Sequence, residues 1–344
     1  MTGGPVNRGA VAAALERWNE RRRGIFYAKT DVHFNVADLS APPVNRTAIA
    51  KLLDEDVRHF EPIAGGTLHK LFRIQTETKR WILKIALEAP DFGFAIEGRA
   101  MDQLRALGLP ALKVGPFSAM SDANLAPFLF MEEAEGRALT RFENSETQQM
   151  PEPLLFEFGR ALAQVHQKPA AGAGLIDVSK EGWRGLHGDW WSYISLRLEE
   201  HLQVCAEIGA IDPIEREKIQ RLFASALQAP MRLLHGDPGH HNVFSDGQRI
   251  TAIIDWEDAL AGDPVFEIAY WGTFVRDEMR ARFVEGYETV EKLPADFERR
   301  YWLYYLRVAL SKTVHRHRFG TKDHPGRPPA SRRIQKALSK LAEL

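Results

Sequence analysis

The sequence predicts an α+β protein of two lobes, a smaller one built on an antiparallel sheet with one helix and a larger one that is mainly helical. Three observations predict it. Strand-like runs separated by turn signals crowd the stretch from about residue 59 to 134. Beyond Gly136, apolar residues recur at spacings near 3.6 in long runs. The chain has 344 residues, 44% of them hydrophobic, which is enough to fill two cores.

Each element can be justified in order. Residues 1–57 read as an N-terminal helical extension: a basic helix around Val11 to Arg23, a turn at Ala41-Pro42-Pro43, and a helix from about Thr47 to Val57. Residues 58–134 form the expected small lobe. There FEPIAGGTLHKLFRIQT and RWILKIAL flank a polar turn at Glu77 to Lys79 and predict paired strands. After the break at Pro90 to Gly93, Ile96, Ala100, Met101 and Leu104 fall at helical spacing and stop at Gly108. LKVGPFSAM and LAPFLFMEEA flank Ser121 to Asn124, which predicts a second hairpin. Residues 135–344 form the expected helical lobe, with stripes in PEPLLFEFGRALAQVHQK, WWSYISLRLEEHLQVCAEIG and DPIEREKIQRLFASAL. Strand signals return at LLHGDPGHHNVF and RITAIIDW, which predict a short hairpin among helices. Two aromatic-rich helices, a basic Pro/Gly-containing stretch and an amphipathic end helix close the chain.

Composition narrows the function. With 45 basic and 46 acidic residues the formal net charge is -1, so no global field draws the protein to nucleic acid or to an anionic membrane. A single cysteine, Cys205, excludes a disulfide framework and a multi-cysteine zinc site. Neither a signal-peptide core nor an apolar run long enough to span a bilayer stands out. The expectation is a cytoplasmic protein whose partner is a small molecule.

The densest chemistry lies in LLHGDPGHHNVF, where Asp237 sits among glycines, a proline and three histidines. His240 and His241 are adjacent and point apart on an extended backbone, which speaks against a zinc site shared with His235. Asp237, Asn242 five residues on, and Asp255 at the end of the next strand suit phosphoryl transfer instead. One aspartate can accept the proton of an attacking hydroxyl, while an amide oxygen and a carboxylate are hard ligands for Mg2+.

At these residues the sequence resembles the aminoglycoside phosphotransferase and choline kinase superfamily, small-molecule kinases that share the protein-kinase-like fold. The H-G-D-x-x-x-x-N pattern appears as His235-Gly236-Asp237 through Asn242, and the I-D-W-x-x-x-x-x-G-D-P pattern as Ile254-Asp255-Trp256 through Gly262-Asp263-Pro264. The resemblance covers roughly residues 59–320 and implies a bilobal fold. It makes Asp237 the catalytic base and Asn242 and Asp255 the magnesium ligands. His235 and Asp263 would brace the loop, and Glu267 would be structural. Lys84 and Glu97, thirteen residues apart, look like the family's phosphate-binding lysine and its helix partner. Gly65, Gly66 and Thr67 resemble the phosphate-covering turn, although a hairpin needing glycine reads the same way. Met131, the Glu132 carbonyl and the Ala134 N–H would form the nucleotide-base pocket.

The implied activity is an ATP- or GTP-dependent transfer of phosphate to a hydroxyl of a small molecule. An aminoglycoside or related antibiotic is favoured, because Glu257 and Asp258 could face a cationic acceptor. The alternatives are a metabolite kinase for a sugar or choline-like amine, and a catalytically inactive nucleotide-binding regulator.

Overall fold

The computed structural model describes residues 8–26, 45–63, 69–121, 125–139, 150–224, 228–318, 320 and 329–344. Its first element is α1 (Arg8–Arg23), followed by α2 (Arg46–Leu53), which Asn45 caps by accepting from the N–H groups of Thr47 and Ala48. Strands β1 (His59–Ile63), β2 (His69–Gln75), β3 (Arg80–Ala86), β4 (Val114–Ser118) and β5 (Phe128–Glu132) form an antiparallel sheet in the order β1-β2-β3-β5-β4. Between β3 and β4 runs α3 (Gly93–Ala106). The two-residue periodicity of β3 sorts its side chains. Trp81, Leu83 and Ile85 pack with Ile49 of α2 on one face, while Ala86 joins Phe94 of α3 on the other. Lys84 shares that second face, and so its ammonium points toward α3.

The larger lobe continues with β6 (Arg137–Ala138), α4 (Glu152–His166), β7 (Ala173–Ile176) and β8 (Gly185–His187). Next come α5 (Trp190–Ile194), α6 (Leu198–Glu207), α7 (Pro213–Leu222) and β9 (Arg232–Leu234). A 3-10 turn over His240–Asn242 leads into β10 (Val243–Ser245) and β11 (Ile250–Ile253), and a further 3-10 turn over Trp256–Asp258 precedes β12 (Leu260–Gly262). The chain ends in α8 (Pro264–Gly272), α9 (Glu278–Glu288), α10 (Phe297–Arg318) and α11 (Ala330–Glu343). The hairpin expected after the motif is present as β10 paired with β11, and β6 adds a third strand.

Three features depart from the sequence reading. The helix expected across WWSYISLRLEEHLQVCAEIG is two helices, because Arg197 takes a left-handed conformation (φ 56°) between them. A sheet in the order β8-β7-β12-β9 was not expected, since strands of three or four residues are too short to display alternation. His240 and His241, expected on an extended backbone, lie in the 3-10 turn before β10.

The described parts of residues 1–57 divide between the lobes. Ile49 of α2 is buried in the small-lobe core, whereas Trp18 and Phe26 join the core of the large lobe. Among the described residues no helix is long and apolar enough to cross a membrane.

Candidate active site

Strand β9 delivers the chain into His235-Gly236-Asp237, and the turn that follows is held almost entirely by buried side chains. Gly236 has φ +86°, and a Cβ there would lie 2.0 Å from the carbonyl oxygen of Asp258, so only glycine fits. The N–H groups of His235 and Gly236 donate to the Glu267 carboxylate at 3.0 and 2.7 Å. His166 Nε2 lies 2.8 Å from the same carboxylate, and Tyr287 OH lies 2.9 Å from His166 Nδ1. Burial raises Glu267, but the bond and charge of His166 outweigh it and leave the carboxyl below its ordinary range. His235 Nδ1 accepts from the Asp237 N–H at 3.1 Å while Nε2 donates to the Ile254 carbonyl at 2.8 Å, which fixes the neutral tautomer. Burial lowers His235 in the same sense, outweighing Glu267 and Asp237.

Asp237 is therefore presented by a rigid loop. Its Oδ1 accepts from Tyr270 OH at 3.0 Å, and its Oδ2 accepts from Asn242 Nδ2 at 3.1 Å and lies 3.3 Å from His241 Nε2. Burial holds Tyr270 well above its ordinary value, so it remains a donor. The Asn242 amide nitrogen also donates to the Asp237 carbonyl at 3.0 Å, which leaves the amide oxygen as the atom able to ligate a cation.

A second group gathers around Lys84. Its Nζ lies 2.7 Å from Glu97, 3.1 Å from Asp255 and 3.4 Å from Glu257. Burial would lower this lysine, yet Glu97, Glu257 and Asp255 together hold it well above its ordinary range. Burial raises Glu97 in turn, against the pull of Lys84. Asp255 has φ 70°, and its N–H donates to the other Glu97 oxygen at 3.0 Å. Oxygens of Glu97, Asp255 and Glu257 all lie within 4.8 Å of one another, a hard donor set suited to a divalent cation. His69 adds a further imidazole, 2.9 Å from Asp91 and 3.4 Å from Glu257.

The structure thus brings Lys84, Glu97 and Asp255 together, and Asp237 with Asn242. Glu257 and Asp263 are placed otherwise than expected. Glu257 is turned to Lys84 and His69 rather than to an acceptor, and Asp258 lies buried next to it. Asp263 caps α8 through the Val265 N–H and accepts from Tyr304 and Arg300, so the direct brace of the catalytic loop is Glu267. Met131 packs with Ala86, Phe94 and Leu129, on the face of the sheet that Lys84 shares. Glu132 ends β5, with Ala134 just beyond. Gly65, Gly66 and Thr67 lie outside the described residues. The histidines do not converge on one point: His240 accepts from Trp271 Nε1 at 2.9 Å and packs against Phe158. Sequence reasoning missed Tyr270, the His241 contact to Asp237 and the role of Glu257 beside Lys84.

Residues 59–303 match the model of the phosphotransferase enzyme family. The chain belongs to that family. This phosphotransferase is 26% identical over 268 residues to a probable ketoamine kinase of Enterococcus faecium, covering 73% of this chain and 88% of that protein. It is 22% identical over 258 residues to the hygromycin-B 4-O-kinase of Escherichia coli, covering 72% and 73%. Among solved structures, a thermostable mutant of an aminoglycoside phosphotransferase in ternary complex with AMP-PNP and hygromycin B superposes with a TM-score of 0.62 at 19% identity, over 87% of this chain and 99% of that one. A candidate fructosamine-3-kinase of Thermobifida fusca gives 0.60 at 20% identity, over 87% and 98%. The fold is protein-kinase-like and the protein is a small-molecule kinase.

Proposed function

We propose that this phosphotransferase moves the γ-phosphate of ATP to a hydroxyl of a sugar-like metabolite, with a ketoamine sugar as the first acceptor to test. The observation that carries the reading is the Asp237 carboxylate, fixed between Tyr270, Asn242 and His241 on a loop that Glu267 holds by its backbone. Asp237 takes the proton of the acceptor hydroxyl as its oxygen bonds to the γ-phosphorus and the bond to the ADP oxygen breaks. Lys84, oriented by Glu97, binds the nucleotide phosphates. Asn242 and Asp255 would hold Mg2+, which when bound supplies charge neutralisation on the phosphates. The Glu132 carbonyl and the Ala134 N–H read the base. Adenine is favoured over guanine, since relatives of this fold are known with AMP-PNP and ADP.

Glu257 is committed to Lys84 and His69, which withdraws it from the acidic face expected for a polycationic antibiotic and favours the metabolite alternative. Two ketoamine kinases among the relatives, at 26% and 24% identity, support the same class. The test is an acceptor screen with ADP release as readout, comparing ketoamine sugars, hygromycin B, choline and simple sugars in wild type and Asp237→Ala. Turnover on a ketoamine that Asp237→Ala abolishes is expected. Turnover on hygromycin B alone would overturn the acceptor class, and an active Asp237→Ala would overturn the base.

A further inference from the structure

The family match begins at residue 59, yet α1 reaches the centre of the site. Its last turn carries Arg21, Arg22 and Arg23, which are directed to different places. Arg23 donates to the Leu186 carbonyl of β8. Arg22 is 6% exposed and donates to the carbonyl of Ile176 in β7 at 3.1 Å and to that of Glu257 at 3.2 Å. One turn back, Trp18 packs edge-on against Phe92, the residue just before α3, with ring centroids 5.7 Å apart. The Arg22 guanidinium lies over the Trp18 ring at 4.3 Å.

These contacts fall on both supports of the Lys84 cluster. Asp255 holds a left-handed backbone conformation, which a non-glycine residue keeps only where its surroundings fix it. The Glu97 carboxylate grips the N–H at the start of that bend. Arg22 grips the carbonyl two residues later and ties it to β7. We infer that Arg22 is a positioning residue for the magnesium-nucleotide site, with α1 clamping the Asp255–Glu257 bend and the start of α3 in one arrangement. The inference rests on the nucleotide-site reading above. A guanidinium suits the task because two carbonyls on different segments can be bonded by one rigid planar group.

The test measures binding of AMP-PNP by calorimetry, with and without Mg2+, in wild type, Arg22→Met, Arg22→Lys and Arg23→Met. Arg22→Met keeps the stem and volume but loses both bonds. Its Mg2+-dependent affinity should fall on the order of tenfold or more, the scale of a misplaced site, while Mg2+-free binding changes little. Arg22→Lys, which keeps the charge and can reach one carbonyl, should recover part of the loss, and Arg23→Met should stay near wild type. Equal weakening by Arg22→Met and Arg23→Met, or an Arg22→Met variant within twofold of wild type, would overturn the inference. Should Arg22→Met not fold, hydrogen exchange of the wild type decides. By reciprocity, Mg2+-AMP-PNP must slow exchange across residues 18–23, and unchanged exchange there refutes the coupling. Wild-type protein that binds no Mg2+-AMP-PNP removes the nucleotide reading itself, an outcome distinct from a silent Arg22.

Discussion

Replacing Glu267 by glutamine tests the loop at its anchor, and its cost can be worked from the bonds. The carboxylate accepts from the N–H groups of His235 and Gly236 and takes the imidazole of His166 at 2.8 Å, all in a buried setting. Glutamine offers one oxygen and one NH2. If its oxygen takes the position shared by His235 and His166, the NH2 meets the Gly236 N–H, which lay 2.7 Å from an acceptor. If it is flipped, the NH2 meets the His235 N–H. Either way one buried backbone donor of the loop loses its partner, at about 1–3 kcal/mol, and the remaining bonds lose their charge assistance, roughly 1 kcal/mol more. The sum is about 2–4 kcal/mol, or a fall in Tm of roughly 3–6 °C for a chain of this size. Turnover should fall as well, because the same N–H groups set where Asp237 stands. Differential scanning calorimetry and ADP-release kinetics on Glu267→Gln read both effects. A Tm within about 1 °C of wild type, with turnover unchanged, would refute the assignment of Glu267 as the anchor.

Tyr270→Phe removes one donor from the Asp237 carboxylate without removing bulk; single-turnover phosphoryl transfer should slow about ten- to a hundredfold with nucleotide affinity preserved. Unchanged single-turnover rates would exclude the phenol from the reaction. His235 gives a pH prediction. Its folded-state value lies below the ordinary 6.5, because burial outweighs the nearby carboxylates. The unfolded chain therefore binds a proton that the folded chain refuses, so stability attributable to this residue is complete above that ordinary value and is lost as pH falls below it. Urea midpoints between about pH 7 and 5 should drop more steeply for wild type than for His235→Gln, by at most ~1.4 kcal/mol per pH unit, and parallel curves would contradict the buried neutral imidazole.

The parts of the site legible in the sequence are those whose spacing is set by one or two adjacent elements. Asp237 and Asn242 share a loop that leads into β10, and Asp255 lies two residues past β11, the strand that pairs with β10. Lys84 and Glu97 are separated by a strand end and the first turns of a helix, so local geometry brings them together. Tyr270 is different. It lies in the apolar run FEIAYWGTFV, where a buried aromatic reads as core, and only the approach of α8 to the loop gives its hydroxyl a partner. The error at Glu257 and Asp258 has a similar origin, because sequence displays charge but not the direction in which a 3-10 turn aims it. The sequence shows Arg22 only as part of a basic helix, since nothing local marks one arginine among three as the buried one.

Glu97 links the two lobes through both of its oxygens, one on Lys84 from β3 and the other on the Asp255 N–H from the large lobe. A shift of α3 by about an ångström would stretch both bonds at once, in a setting where an ion pair is screened far less than in water. The helix and the Asp255 bend are thus bound to move as a unit or to break together. That coupling places value on whatever holds the start of α3, and Phe92, just before α3, is met by Trp18. Since Arg22 of the same helix holds the far side of the bend, α1 bears on both ends of the linkage that Glu97 makes in the middle. The segment that precedes the family-model match is in this way fastened to the most demanding geometry of the site.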